Sequence, residues 1–168
     1  MSDDKTRRLA GDLGAKLLER GWMFACAESC TGGLLSAAMT EIPGSSQWFD
    51  RGFITYSNAA KAQALRVSDD TLERFGAVSE ETAMEMAAGV LGAARTANLA
   101  VSVSGIAGPG GATPGKPVGM VCFGFSRRTG DGVVTRAVTR MFDGDRQQVR
   151  AAAVAFALGA ALEFIEPR

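Results

Sequence analysis

The residues Cys26-Ala-Glu-Ser-Cys-Thr-Gly-Gly-Leu-Leu35 end an apolar run in an acid, two hydroxyls, a thiol and two glycines before apolar residues resume. At the mouth of a helix, Ser29 could be a nucleophile; it or Thr31 could equally be an ordinary helix cap. The free N–H groups of the helix that follows favour an anion, either a phosphate or a developing oxyanion. Gly32 and Gly33 let another group approach the backbone closely. Cys30 is a rival nucleophile, because helix N-termini lower thiol pKa, although a small buried filler is its commoner role. A serine nucleophile needs a base, and the chain has no histidine. A Ser-His-Asp triad is therefore impossible from this chain alone.

Lysine can take that place if it is neutral, since burial and nearby positive charge lower its pKa from about 10.4 toward neutrality. The lysines are Lys5, Lys16, Lys61 and Lys116. Lys5 sits near the terminus, Lys16 lies off the Leu9-Leu13-Leu17 face of its helix, and Lys116 is in a glycine-rich loop. Lys61 follows Phe53-Ile-Thr-Tyr-Ser-Asn-Ala-Ala, on the first turns of a helix at the edge that carries Ser29. A solvated helix lysine is the plainer reading of Lys61. Tyr56, the sole tyrosine, shares that edge and could bond the lysine or the substrate, or simply carry a wet hydroxyl at an interface.

A second glycine-rich loop, Ser104-Gly-Ile-Ala-Gly-Pro-Gly-Gly-Ala-Thr-Pro-Gly-Lys-Pro117, leaves a buried strand. It does not fit the dinucleotide fingerprint, and Pro117 after Lys116 breaks the P-loop pattern. A mobile surface loop is the plainer reading, but its start at Ser104 and Gly105 leaves the buried strand and is expected to be well held, which favours a loop that lines a ligand. Arg146, in Gly144-Asp145-Arg146, opens the last helix and could pair bidentately with a phosphate, or be a surface arginine. With no histidine and no CxxC pair the usual zinc sites cannot be built, and no cofactor is expected.

The elements that must position these residues follow from periodicity and breakers. The first helix is expected over about Asp3 to Arg20, stopped by Gly21. A strand over Trp22 to Ala27, a helix over Thr31 to Thr40, a strand over Phe49 to Ser57 and a helix over about Ala59 to Leu65 follow. Ser79 caps a helix reaching Thr96, with Met86, Val90 and Ala94 in its buried stripe. Leu99 to Ser104 is a strand. Val118 to Ser126 and Val133 to Phe142 form a hairpin with Asp131-Gly132 in the turn. Asp145 opens a last helix with Val149, Phe156, Ala160 and Phe164 on one side. The order predicts an α/β fold, a mixed five-stranded sheet between helical layers with one antiparallel strand, whose ligands sit at the carboxyl ends of the parallel strands.

Length and composition bound the function. The 168 residues suit one domain spanning 1–168, and 46% hydrophobic with 21% charged residues reads as soluble and globular. Eighteen basic residues balance eighteen acidic ones, which argues against nucleic acid as a partner. The N-terminus lacks the apolar core of a signal peptide. The longest apolar run, Ala151 to Leu162, falls short of the ~20 residues of a membrane span. Three cysteines, an odd number, suggest free thiols in a reducing compartment, so a cytoplasmic protein without membrane partners is expected. Trp48 and Phe49 are read as exposed apolar positions available to an interface in a homo-oligomer.

Taken together, Ala27-Glu-Ser-Cys-Thr-Gly-Gly33, Thr55-Tyr-Ser-Asn58 with Lys61, Ser104-Gly-Ile-Ala-Gly-Pro-Gly-Gly111, Lys116-Pro-Val-Gly119 and Gly144-Asp-Arg146 resemble the CinA C-terminal domain family, that of bacterial nicotinamide-mononucleotide deamidase. The resemblance covers nearly the whole chain. It does not extend to the amino-terminal domain some members carry, which implies a stand-alone deamidase. It implies a three-layer α/β/α sandwich. It also implies hydrolysis of nicotinamide mononucleotide to nicotinic acid mononucleotide and ammonia, in pyridine nucleotide recycling. The family's serine and lysine map to Ser29 and Lys61, with Tyr56 and Ser104 beside them. The substrate-lining set becomes Glu28, Cys30, Thr31, Gly32, Gly33, Asn58, Gly105, Gly108, Gly110, Gly111 and Arg146. Ser104 stands where members often have threonine, and Ala112 and Gly115 replace a frequent glycine and glutamate. The alternative within the resemblance is a nucleotide-binding interaction module without turnover.

Overall fold

The computed structural model describes residues 1–166. Asp3 accepts from the Thr6 N–H, and Gly21 turns into the left-handed region to receive the end of α1, Asp4–Arg20. These are the two stops the sequence carries. Strand β1, Phe24–Glu28, is buried at every position. Helix α2, Leu34–Thr40, leads through a 3-10 turn, Ser45–Gln47, to β2, Phe49–Ile54. Ser57, Ser68 and Ser79 then cap three successive helices, α3 (Asn58–Leu65), α4 (Asp69–Phe75) and α5 (Glu80–Ala93). Strand β3, Leu99–Gly105, the hairpin of β4 (Met120–Thr129) and β5 (Gly132–Met141), and helix α6 (Arg146–Ile165) complete the order. A reciprocal pair of bonds between Asp145 and Gln148 starts α6.

The strand order is β2-β1-β3-β4-β5. β1 runs parallel to β2 and β3, while β4 is antiparallel to both β3 and β5, so β4 alone opposes the rest. The expected α/β/α sandwich and its single reversed strand are what forms. Alternation along the strands divides the core. Phe24, Cys26, Leu99, Val101 and Val103 face α1, α2 and α6. Ala25, Ala27 and Ala100 face α3, α4 and α5. Each fully buried large side chain contributes roughly 1.5–3 kcal/mol. Helix α6 is the one described helix long and apolar enough to cross a membrane, longer than the Ala151–Leu162 run suggests; its Val149, Ala153, Ala157, Leu158 and Ala161 are instead spent on the first core.

Four expectations are corrected. Helix α2 starts at Leu34, because two turns, closed by Gly32 N–H to the Ser29 carbonyl (3.0 Å) and Leu34 N–H to the Thr31 carbonyl (3.0 Å), precede it. Helix α4 was not expected; with seven residues it is too short to carry a periodic stripe. The hairpin turns at Gly130-Asp131, since Thr129 pairs with Gly132 and Arg127 and Arg128 join the ladder. Trp48 is buried, 6% exposed. It lies against Gly14 of α1, where an added Cβ would sit 2.7 Å from the indole, so it belongs to the core and not to an exposed interface.

Candidate active site

Ser29 is the first residue past β1. Its N–H donates to the Val103 carbonyl (2.9 Å) and the neighbouring Glu28 carbonyl accepts from Thr55 N–H (2.9 Å), so the serine's backbone is stitched to both adjacent strands. Ser57 accepts from Ala60 N–H and opens α3, which carries Lys61 about one turn in. The Lys61 amine lies 3.1 Å from Ser29 Oγ, 2.8 Å from the Thr55 carbonyl and 3.3 Å from the Tyr56 carbonyl. It is 1% exposed, and none of these partners carries charge. Burial holds the amine below its ordinary value, against a smaller opposing influence of Cys30.

These partners suit both protonation states. A neutral amine has two N–H donors and one lone pair. Two of its three partners are carbonyls, which can only accept. With both N–H groups on them, the lone pair faces the remaining partner, the Ser29 hydroxyl. The ammonium form has three donors for the same three oxygens. The amine can therefore take the serine's proton and keep a full set of bonds, which is what a general base that later acts as an acid requires.

Next to this pair, Gly32 (φ 54) and Gly33 (φ 108) take the left-handed conformations of a tight turn that other residues adopt only with strain. Neither Ser29 nor Thr31 caps α2; the cap position is Gly33, without a side chain. The anion expected at this helix start is the protein's own. Glu28, fully buried, accepts from Leu35 N–H (2.8 Å), Ser36 N–H (3.0 Å), Ser36 Oγ (2.8 Å) and Thr31 Oγ1 (2.7 Å). Its carboxylate is saturated by Thr31 and the start of α2 and is not free to line a substrate. The Cys30 thiol is 5% exposed and is pushed up to about 11, chiefly by desolvation. It is a thiol at neutral pH and packs as a buried filler of the core. The N–H groups of Cys30 and Thr31 find no acceptor among the described residues.

Other expected residues divide. The Tyr56 hydroxyl accepts from Arg146 (3.1 Å) and does not reach Lys61; it is the Tyr56 carbonyl that meets the amine. Arg146 also donates to the Gly108 carbonyl (2.8 Å), joining the glycine loop to the segment after β2. Ser104 donates to the Ala77 carbonyl (2.7 Å), so its hydroxyl ties β3 to the segment between α4 and α5 rather than holding the lysine. Gly105 is paired with Val121 inside the sheet. Gly110, Gly111 and Asn58 are exposed. Sequence reasoning missed Arg150, whose guanidinium donates to the carbonyls of Cys30 (3.0 Å) and Thr31 (3.2 Å). Its place one turn after Arg146, on the same face of α6, was the available signal.

A mixed α/β sheet brings a hydroxyl and a buried amine into contact at the carboxyl ends of its parallel strands, a pairing suited to acyl transfer. The chain belongs to the CinA family: the CinA C-terminal domain matches residues 6–165. It is 56% identical over 167 residues to the nicotinamide-nucleotide amidohydrolase PncC of Enterobacter agglomerans, covering 99% of each chain. It is 50% identical over 158 residues to the protein of that name from Escherichia coli K12, covering 94% of this chain and 93% of the other. The crystal structure of a competence or damage-inducible protein from Enterobacter asburiae superposes with a TM-score of 0.90 at 38% identity, over 98% of this chain and 100% of that one.

Proposed function

We propose that this protein is an amidohydrolase that converts nicotinamide mononucleotide to nicotinic acid mononucleotide and ammonia, with Ser29 as nucleophile and Lys61 as base. The observation that carries the mechanism is the 3.1 Å contact between Lys61 Nζ and Ser29 Oγ inside a buried site. The substrate class rests on the names of the full-length relatives. Neutral Lys61 takes the serine proton as Ser29 attacks the carboxamide carbon. The N–H groups of Cys30 and Thr31 hold the oxyanion, each such donor being worth about 3 kcal/mol. Protonated Lys61 then gives its proton to the departing ammonia, and water hydrolyses the acyl-enzyme by the same path in reverse. Arg146, spanning Tyr56 and Gly108, supplies the cation for the 5′-phosphate.

Ammonia release from nicotinamide mononucleotide, nicotinamide riboside and free nicotinamide tests this directly. The mononucleotide is the expected substrate, and Ser29→Ala and Lys61→Ala, each folded by circular dichroism, are expected to release none above background. Wild-type turnover in Ser29→Ala would remove the serine from the mechanism. No release from any of the three compounds by the wild-type protein would leave a binding module. Arg146→Ala is expected to raise KM more than it lowers kcat.

A further inference from the structure

We infer that Arg150 is a positioning residue for the oxyanion site, holding the Cys30–Thr31 peptide so that the Thr31 N–H faces the reacting carbonyl. The inference rests on Ser29 being the nucleophile and assigns a task to a side chain whose hydrogen bonds go to neither Ser29 nor Lys61.

The turn after β1 can be accounted for one peptide at a time. In a trans peptide the C=O and N–H point in opposite directions, so whatever holds a carbonyl also aims the N–H of the next residue. The Ser29 carbonyl accepts from Gly32 N–H, and the Thr31 carbonyl accepts from Leu34 N–H. Between them, the Cys30 carbonyl has one partner among the described residues, Arg150 Nε at 3.0 Å. The second arm of the same guanidinium reaches the Thr31 carbonyl at 3.2 Å, so two consecutive peptides are gripped by one planar group. Of the N–H groups behind these carbonyls, Gly32's is spent within the turn and Thr31's is free. Without Arg150 the Cys30–Thr31 peptide would have no bond holding its orientation, in a turn whose next two residues are glycines with positive φ.

The grip also strengthens the donor. A cation bonded to a peptide carbonyl polarises that amide and makes the opposite N–H more positive. The Arg150 charge thus acts on a developing oxyanion through the peptide, while Glu28 braces the same loop from the other side through the Thr31 hydroxyl. A lysine at this position could restore the charge but not the two-point planar contact.

Steady-state kinetics on nicotinamide mononucleotide for Arg150→Ala, Arg150→Lys and, in parallel, Ser29→Ala test this. The expected result is a kcat lower by about tenfold to a hundredfold in both Arg150 variants, less than complete loss of a donor causes, with KM within twofold and the pH of the acidic limb unmoved. Added guanidinium ion, at a non-denaturing concentration, is expected to restore much of the loss in Arg150→Ala and none in Arg150→Lys. If Arg150→Ala does not fold, Arg150→Lys alone decides by its kcat. Turnover within threefold of wild type in the Arg150 variants, or a loss confined to KM and unmoved by guanidinium, overturns the positioning role while leaving Ser29 and Lys61 in place. An active Ser29→Ala overturns the underlying mechanism and this inference with it.

Discussion

At the scale of single residues, the fate of one amine links activity to stability. In an unfolded chain Lys61 would titrate at its ordinary value of 10.5, and burial lowers it in the native protein. Between those two values the unfolded chain binds a proton that the native protein does not, so native stability rises with pH across the window. Below the native value both states are protonated and the fold bears the full cost of a buried ammonium. Lys61→Met removes that cost while keeping the volume of the stem. Its Tm is expected to exceed that of the wild type at neutral pH, with the gap closing as pH approaches 10.5. Thermal melts across that range read the effect; a gap that widens with pH would mean the native lysine is not destabilised as an ammonium. The same deprotonation should appear in kcat/KM as an acidic limb rising with pH, its midpoint below 10.5. An acidic limb in the carboxylate range would assign the base to another group.

At the scale of elements, the loop after β1 and α2 are one unit, joined by Glu28. Its two oxygens accept from Leu35 and Ser36 N–H separately. Glu28→Gln therefore places an NH2 against an N–H donor whichever way the amide is turned, and one buried donor loses its acceptor. That costs about 1–3 kcal/mol, read as a lower urea midpoint at unchanged m value, and the loosened loop should lower kcat as well. An unchanged midpoint would mean the helix start is held without this carboxylate. Glu28 also marks what can be read from the chain alone. The strand and helix order was legible because apolar period and serine caps are local, as at Ser57 and Ser79. That Ser29 and Lys61 share one edge was legible because parallel strands bring their carboxyl ends together; that they form a pair was implied by the family resemblance, since the residues alone favoured a solvated lysine. The later start of α2 was not, because Glu28 serves its second and third residues from within a strand, outside the usual capping position. Arg150 was signalled only by its spacing from Arg146, because its partners Cys30 and Thr31 lie 120 and 119 residues away in sequence and are carbonyls, which carry no sequence signature of their own.

At the scale of the molecule, the two faces of the sheet are unlike, and the difference places Lys61. The face toward α1 and α6 carries Phe24, Leu99, Val101 and Phe123, whereas the face toward α5 carries Ala25, Ala27, Ala100, Ser102 and Gly124. Small residues let α5 lie close to the sheet: Ser102 donates to the Ala83 carbonyl (2.6 Å), and an added Cβ on Gly124 would sit 2.6 Å from the Ala83 carbonyl carbon. Helix α3, which bears Lys61, in turn approaches α5 at Gly89, where an added Cβ would overlap the Leu65 carbonyl oxygen and sit 3.0 Å from its carbon. Leu65 closes α3, one turn after Lys61. Gly89→Ala gains about 0.5–1 kcal/mol of helix propensity, but backbone atoms cannot rotate away as a side chain would, and such overpacking costs about 1–3 kcal/mol. The overlap wins, and α3 must shift. Gly92, one turn on in the same helix, has no neighbour within 4 Å of an added Cβ, so Gly92→Ala keeps the propensity gain alone. The expected outcome is a raised Tm with wild-type kcat for Gly92→Ala. For Gly89→Ala it is a lowered Tm with kcat down at least about tenfold, since an ångström of misplacement between reacting groups can cost a hundredfold. Thermal melts and ammonia release on the pair decide it. Equal Tm and kcat in the two variants would show that the base is positioned by its own strand and turn, independently of the helix packed behind it.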